Sequence, residues 1–294
     1  MGKVRAFLEL TRPANVITAL SDILAGMAIV GFTYGFKNYQ ITSVLYLGLS
    51  SMCLYAGGVV FNDIFDRKLD AFERPERALP SGRIQLSESI LGGLFLLLLG
   101  VLLAFSQSRL SGFIAVIIVI LVILYDWKSK HNTFFGPFNM GLCRAFNLML
   151  GMSVYELGVI EFGELLIVPL IYIFAITLVS RGEVHGSKPW PLWIAGILFL
   201  SVHLAQLNFA WEQHKLAFIL PFIGLHAYLL YIPLYKAIKQ PIGPNIGKTV
   251  KAGVLSLIVM NAAWISASNQ WYLAILVVAL LPLSIRLGKY FAVT

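Results

Sequence analysis

NDIFDRKLDAFERPERALPSGR, residues 62–83, packs ten charged side chains between two long uncharged runs. Its aspartates 63, 66 and 70 are spaced i, i+3, i+7. A helix continued from the run before them puts all three on one face. Carboxylates stacked in this way repel one another unless cations stand among them. Arg67, Arg74, Arg77 and Arg83 lie among and behind them, and Pro75, Pro80 and Gly82 end the helix. Carboxylates able to hold a hard cation, beside guanidiniums able to hold phosphate, predict a site for a metal-bound phosphate ester.

The flanking runs decide the fold. The chain has 294 residues, of which 59% are hydrophobic and 12% charged, and its mean hydropathy is +0.82. This composition belongs to a polytopic membrane protein. Nearly uncharged runs occur at 14–34, 42–61, 88–106, 110–125, 133–155, 164–180, 190–209, 216–235 and 252–285. Most approach the roughly 20 residues that cross a bilayer as a helix. The last run is too long for one span and is broken by Ser266-Ala-Ser-Asn-Gln270, so nine runs predict nine or ten helices.

The net charge of +8 follows topology. With the N-terminus cytoplasmic, eighteen lysines and arginines fall on the inner side, and Lys37, Arg109 and Lys215 fall outside. The basic balance thus predicts orientation and contact with membrane lipids, and no nucleic-acid partner. The opening Met1-Gly2-Lys3 is followed by alanine at position 6, which fails the myristoylation pattern. The run from Ala14 carries Asp22 and is too long for a signal peptide, so it is expected as a retained first span. Cys53 and Cys143 lie in apolar runs and read as small core residues.

Three cytoplasmic loops, about 62–87, 126–132 and 181–189, are expected to converge on one site. The second offers Lys128 as a phosphate clamp. The third, SRGEVHGSK, offers Glu183 as a further metal carboxylate and His185 as base or ligand, flanked by Arg181. Within the spans, Asn15 near the interface and the deeper Asp22 are costly enough in lipid to face a cavity or a partner, and Arg144 is the expected partner of Asp22. His203, Gln206, Asn208, His226 and Asn261 read as bonds between helices.

Arg12-Pro-Ala-Asn15, the NDxxDxxxD pattern of residues 62–70 and Arg77-Ala-Leu-Pro-Ser-Gly-Arg83 together resemble the UbiA-type intramembrane prenyltransferase superfamily. The likeness covers the whole chain in topology, with sharp motif agreement over about residues 10–90. It implies an all-α bundle of nine or ten transmembrane helices around a central cavity, forming one domain over residues 1–294. It also implies an enzyme that binds a prenyl diphosphate lipid through Mg²⁺ and passes the prenyl group to an acceptor, often aromatic. Carried onto this chain, Asp63, Asp66, Asp70 and Glu183 are the expected metal ligands, with Asp63, Asp66 and Glu183 catalytic. Asn15, Asn62, Arg77, Lys128, Arg144, Arg181 and His185 are expected to bind substrate.

The chain departs from the family pattern in two loops. The family's second motif is normally a pair of aspartates, and here Glu183 is the sole carboxylate of that loop. Tyr125 is followed by Asp126, and Lys128 and Lys130 straddle the place of the expected lysine. SRGEVHG (residues 180–186), the run Cys143–Gly151 and the end Phe291-Ala-Val-Thr294 resemble an EboC-type branch found in bacterial secondary-metabolite clusters. That likeness implies a bacterial cell-membrane location. It carries the alternative of a non-catalytic or transport-associated protein in metabolite export.

Overall fold

A computed structural model of the chain describes residues 2–31 and 38–291, with side chains from residue 41 onward in the second stretch. Lys37 and the terminal residues 292–294 lie outside the described residues. Every regular element described is helical. The helices are α1 (Lys3–Thr11), α2 (Pro13–Ile29), α3 (Asn38–Glu73), α4 (Leu86–Gln107), α5 (Arg109–Trp127), α6 (Phe135–Met152) and α7 (Glu156–Glu161). They continue as α8 (Ile167–Ser180), α9 (Pro189–Glu212), α10 (Leu216–Lys239), α11 (Gly243–Ala267), α12 (Trp271–Val278) and α13 (Leu280–Tyr290).

The chain is an all-α integral membrane bundle. Among the described residues, eight helices are long and apolar enough to cross a membrane, where the sequence predicts nine or ten. The two expected spans that fall short are α2, of 17 residues, and α6, of 18. α6 gives three positions to Asn139, Arg144 and Asn147, which are buried against protein. The long final run does divide, at a turn where Asn269 takes φ 64°, a left-handed conformation that asparagine tolerates.

Consecutive long helices pack side by side from α3 to α6 and from α8 to α11, and α2 closes the arrangement against α3, α6, α11 and α13. α11 is the inner post, with 83% of its most apolar stretch buried, against 50% or less for the other seven spans. Two apolar clusters result. One gathers α8–α11 around Tyr172, Phe199 and Trp264, and the other gathers α3–α6 around Leu47, Leu54, Ile114 and Leu150. α2 feeds both, through Ile17 and Ala25 on one side and Ile23 and Met27 on the other.

Two glycines fix how α2 meets α6. A Cβ on Gly26 would lie 2.4 Å from the Leu148 carbonyl, and one on Gly151 would lie 2.5 Å from that of Ile23. The backbones therefore touch, the device by which small residues bring membrane helices together. One turn before each glycine stand Asp22 and Asn147, and they are bonded to each other.

The loop boundaries also shift. The 62–87 segment is helical to Glu73 because α3 continues for 36 residues, about 54 Å of helix and far more than a bilayer needs. α5 runs to Trp127 before a short turn at Ser129–His131, and Pro189 already opens α9.

Candidate active site

A cavity of about 440 Å³ opens between the two clusters. Its mouth is polar, lined by Asn62, Asp66, Asp70 and Glu73 of α3, by Arg12, Arg74 and Arg77, and by Asp126 and Glu183. Its walls are apolar, with Leu54, Val59, Ile118 and Val122 on one side and Ile173, Ile176, Val254 and Leu257 on the other. Its floor is polar again, with Thr18, Ser51, Arg144 and Asn147.

The three aspartates share a face of α3, and each is met by a cationic side chain of the protein. Asp63 Oδ1 accepts from Arg12 at 2.8 Å and from Arg77 at 3.4 Å. Asp70 accepts from Arg77 at 2.8 Å. Asp66 is paired with Lys130. Asn62 donates to Asp126 at 2.8 Å and so ties α3 to the end of α5. The repulsion expected among stacked carboxylates is thus relieved by two arginines and a lysine.

Arg12 is held for this purpose by the backbone. It links α1 to α2 at φ 46°, a left-handed conformation that is uncommon for a residue with a Cβ. Pro13 starts α2 directly behind it. α1 is pinned in turn by Lys3 to Glu88 and by Glu9 to Arg83, both at 2.5 Å, and by a small core of Ala6, Leu10, Val60, Leu79 and Ile84. This clip orders the Arg77–Arg83 loop against the helix that carries the aspartates.

Glu183 reaches the mouth from the turn after α8, near Arg74 and Arg12. Burial raises its pKa above that of an ordinary glutamate, and the two arginines oppose the rise. Gly243, at the start of α11, fits under this turn because a Cβ there would meet the Glu183 carbonyl at 2.4 Å.

The site differs from the sequence expectation at several residues. Asp63 does not line the cavity. It is 5% exposed and grips two arginines from behind. Lys128 is exposed and off the cavity wall, because the turn after α5 brings Lys130 over Asp66 instead. Arg181 is exposed and bonds the Asn132 carbonyl at 2.5 Å, and His185 is exposed on the same turn. Neither lines the cavity. Asn15, Asn62, Asp66, Asp70, Arg77, Arg144 and Glu183 all do. Arg74, Lys130 and Asp126 were missed. Arg74 stood in the sequence as one of four arginines with nothing to single it out, Lys130 as the neighbour of the preferred Lys128, and Asp126 as a departure from the family pattern; Arg74 and Asp126 line the cavity and Lys130 pairs with Asp66 beside it.

A metal ligand set of Asp63, Asp66, Asp70 and Glu183 is not assembled. Among the described residues no three His, Cys, Asp or Glu side chains are close enough to share an ion. The donor chemistry at the mouth nevertheless fits a hard divalent cation: Asn62, Asp66, Asp70 and Glu183 offer only oxygen. Such an ion would take Asp66 from Lys130 and Asp70 from Arg77.

The deep polar residues pair between helices as expected, except Asn208, which is exposed and bonds Glu212 one turn along its own helix, α9. Arg144 Nε lies 2.6 Å from Asp22 Oδ2. His203 and His226 bond each other at 2.8 Å between α9 and α10, and Gln206 bonds the Met260 carbonyl of α11. Cys53 and Cys143 are free thiols.

A family model described as the UbiA prenyltransferase family matches residues 23–292. Among curated proteins, the chain is 30% identical over 148 residues to digeranylgeranylglyceryl phosphate synthase of Methanosphaera stadtmanae, covering 49% of this chain and 51% of that protein. It is 29% identical over 190 residues to the synthase of the same name from Ignicoccus hospitalis, covering 64% and 60%. The chain thus spans between half and two thirds of the length of the curated relatives it matches. Among solved structures, one of digeranylgeranylglyceryl phosphate synthase has the same fold, with a TM-score of 0.66 and 24% identity over 92% of this chain and 100% of that one. These relatives are archaeal, which lends no support to a bacterial origin or to the EboC-type branch.

Proposed function

We propose that this chain, which belongs to the UbiA prenyltransferase family, is a membrane prenyltransferase that holds a prenyl diphosphate at the carboxylate mouth and an acceptor deeper in the same cavity. One observation carries this reading. A single cavity joins a mouth of carboxylates and guanidiniums to apolar walls, as a charged head and a lipid tail require.

In the transfer, the bond from the allylic carbon to the diphosphate oxygen breaks and its electron pair leaves on oxygen. The acceptor's nucleophilic atom bonds to that carbon and gives up its proton, which the departing diphosphate takes up. Arg12, Arg77 and Lys130 stand where negative charge builds on the leaving diphosphate, and their hold on it strengthens as that charge grows. Asn62, Asp66, Asp70 and Glu183 are the residues that would hold Mg²⁺, which when bound neutralises the diphosphate. Asp63 is a positioning residue that aims both arginines. The apolar walls keep water from the electron-poor carbon.

The acceptor follows less directly. The family resemblance favours an aromatic ring, whereas the curated relatives are named for a glyceryl phosphate product, which makes a phosphorylated alcohol an equal candidate. The whole chain works as one unit in this reading, with the mouth on the cytoplasmic side.

The test is purified full-length protein with a labelled prenyl diphosphate and Mg²⁺. Pyrophosphate release that is lost in Asp66→Asn supports the reading. Release unchanged in Asp66→Asn and Asp70→Asn overturns the assignment of the mouth. Donor binding with no release toward any acceptor would favour the transport-associated alternative.

A further inference from the structure

We infer that Arg144 is the anchor of a second subsite, on the cavity floor, that takes an oxyanion head (carboxylate or phosphate) on the acceptor. This rests on the prenyltransferase reading and specifies its second substrate. Arg144 and Asp22 each stand nine residues after the start of their helices at the mouth, α6 and α2, so both lie about 13 Å down. A guanidinium at that depth is expensive in a membrane and is kept where it has work to do.

Asp22 does not account for the whole guanidinium. It is 1% exposed and already accepts from Asn147 at 2.8 Å and from Asn261 at 2.7 Å, besides its contact with Arg144 Nε. That contact uses one edge of the guanidinium. Nε, for all its closeness to Asp22, and Nη2 are both buried without a hydrogen-bond acceptor in the protein, and the guanidinium, 7% exposed, lines the cavity.

The neighbouring polar groups on the floor are committed elsewhere. Thr18 bonds the Asn15 carbonyl, Ser51 bonds Asn147, and Asn147 bonds Asp22 and the Ala19 carbonyl. The floor therefore offers spare donors from Arg144. A planar fork with one edge fixed by a carboxylate presents its other edge to a second oxyanion in a set orientation. Tyr55, with its ring 6.0 Å from the guanidinium, limits the fork from the side. An acceptor held there by its acid head sends its nucleophilic end up the apolar walls toward the mouth, where the prenyl carbon is released.

The experiment measures binding to the full chain in detergent by equilibrium dialysis, with and without geranyl thiolodiphosphate and Mg²⁺. The probes are two matched pairs: 4-hydroxybenzoate with 4-hydroxybenzamide, and a monoalkylglyceryl phosphate with the corresponding monoalkylglycerol. The expected result is that at least one anionic member binds on the order of tenfold or more tightly than its neutral twin, and that Arg144→Gln abolishes the preference.

Because Arg144→Gln strands the Asp22 charge, the double variant Asp22→Asn, Arg144→Gln is measured beside it. A merely structural ion pair predicts that the double variant recovers the anion preference, and recovery overturns the inference. So does the absence of any Arg144-dependent preference in both pairs. Geranyl thiolodiphosphate binding is read separately in every variant. Its absence from the unmutated chain, with the anion preference intact, would remove the prenyl-donor reading and leave the floor site standing.

Discussion

Lys130 and Asp66, 64 residues apart in sequence, form an ion pair over the mouth of the cavity, with Lys130 only 11% exposed. The pair joins the turn after α5 to the aspartate face of α3. It puts a cation where a phosphate would be received. Lys128, two residues earlier, is exposed and takes no part. Lys130→Ala should therefore weaken donor binding by roughly tenfold or more, the scale of one charge-assisted contact, while Lys128→Ala should leave it within about twofold. Titration of a thiolodiphosphate donor analogue checks the contrast. Equal losses in the two variants would return the role to bulk charge.

Metal dependence should be complete and should pass through the mouth. Chelation is expected to remove pyrophosphate release, and Mg²⁺ to restore it. Asp66→Asn and Asp70→Asn should each raise the Mg²⁺ concentration needed by more than tenfold, since a carboxylate ligand is lost to an amide. Asp63→Asn should act differently. It frees Arg12 and Arg77 without removing a wall ligand, so it should raise KM for the donor more than it raises the metal requirement. Metal titrations of the three variants separate these patterns.

Glu183 predicts a pH effect with a definite sign. Burial raises its pKa, so the folded chain holds the proton at pH values where an unfolded chain has lost it. Ionisation then costs stability as pH rises from the ordinary glutamate range through the raised value. Glu183→Gln cannot ionise. The melting temperature of the unmutated chain should fall relative to the variant across that window and run parallel to it at lower pH. A constant offset at all pH values would contradict a buried Glu183.

The α2–α6 crossing gives a stability prediction. Gly26→Ala and Gly151→Ala each push a Cβ against backbone rather than against a yielding side chain. Each should cost about 1–3 kcal/mol, at the upper end of that range or beyond. Thermal unfolding in detergent checks this. Gly163→Ala, where a Cβ meets nothing within 4 Å, serves as the neutral control.

Much of this was legible in the sequence because membrane segments announce themselves by length and charge, and because the spacing of Asp63, Asp66 and Asp70 has one helical meaning. The Asp22–Arg144 pair was legible for the same reason: two opposite charges in oil need each other. What was not legible was angular. The sequence reading places the clamp on Lys128, and only the short turn after Trp127 brings Lys130 to Asp66 in its stead. It marks Asp63 as one of three equal ligands, and only the position of Arg12 turns it inward. α6 was expected as a span carrying one charge, Arg144, and composition does not reveal that Arg144 and Asn147 share the cavity floor while also pairing with Asp22 of α2.

The length of α3 has a consequence for how the two kinds of substrate matter can meet. A helix of 36 residues, about 54 Å, is far longer than the hydrocarbon is thick, so one helix carries both the acidic turns, buried under Arg12, Arg77 and Lys130, and the middle stretch that lines an apolar chamber. On the proposed function, a diphosphate head would be gripped at these turns while its tail ran down into the chamber, and an oil-soluble partner would be reached without leaving the bilayer. In the language of the synthetic laboratory, such a bundle would be a phase-transfer device, with polar and apolar lining meeting along a single helix near Asn62.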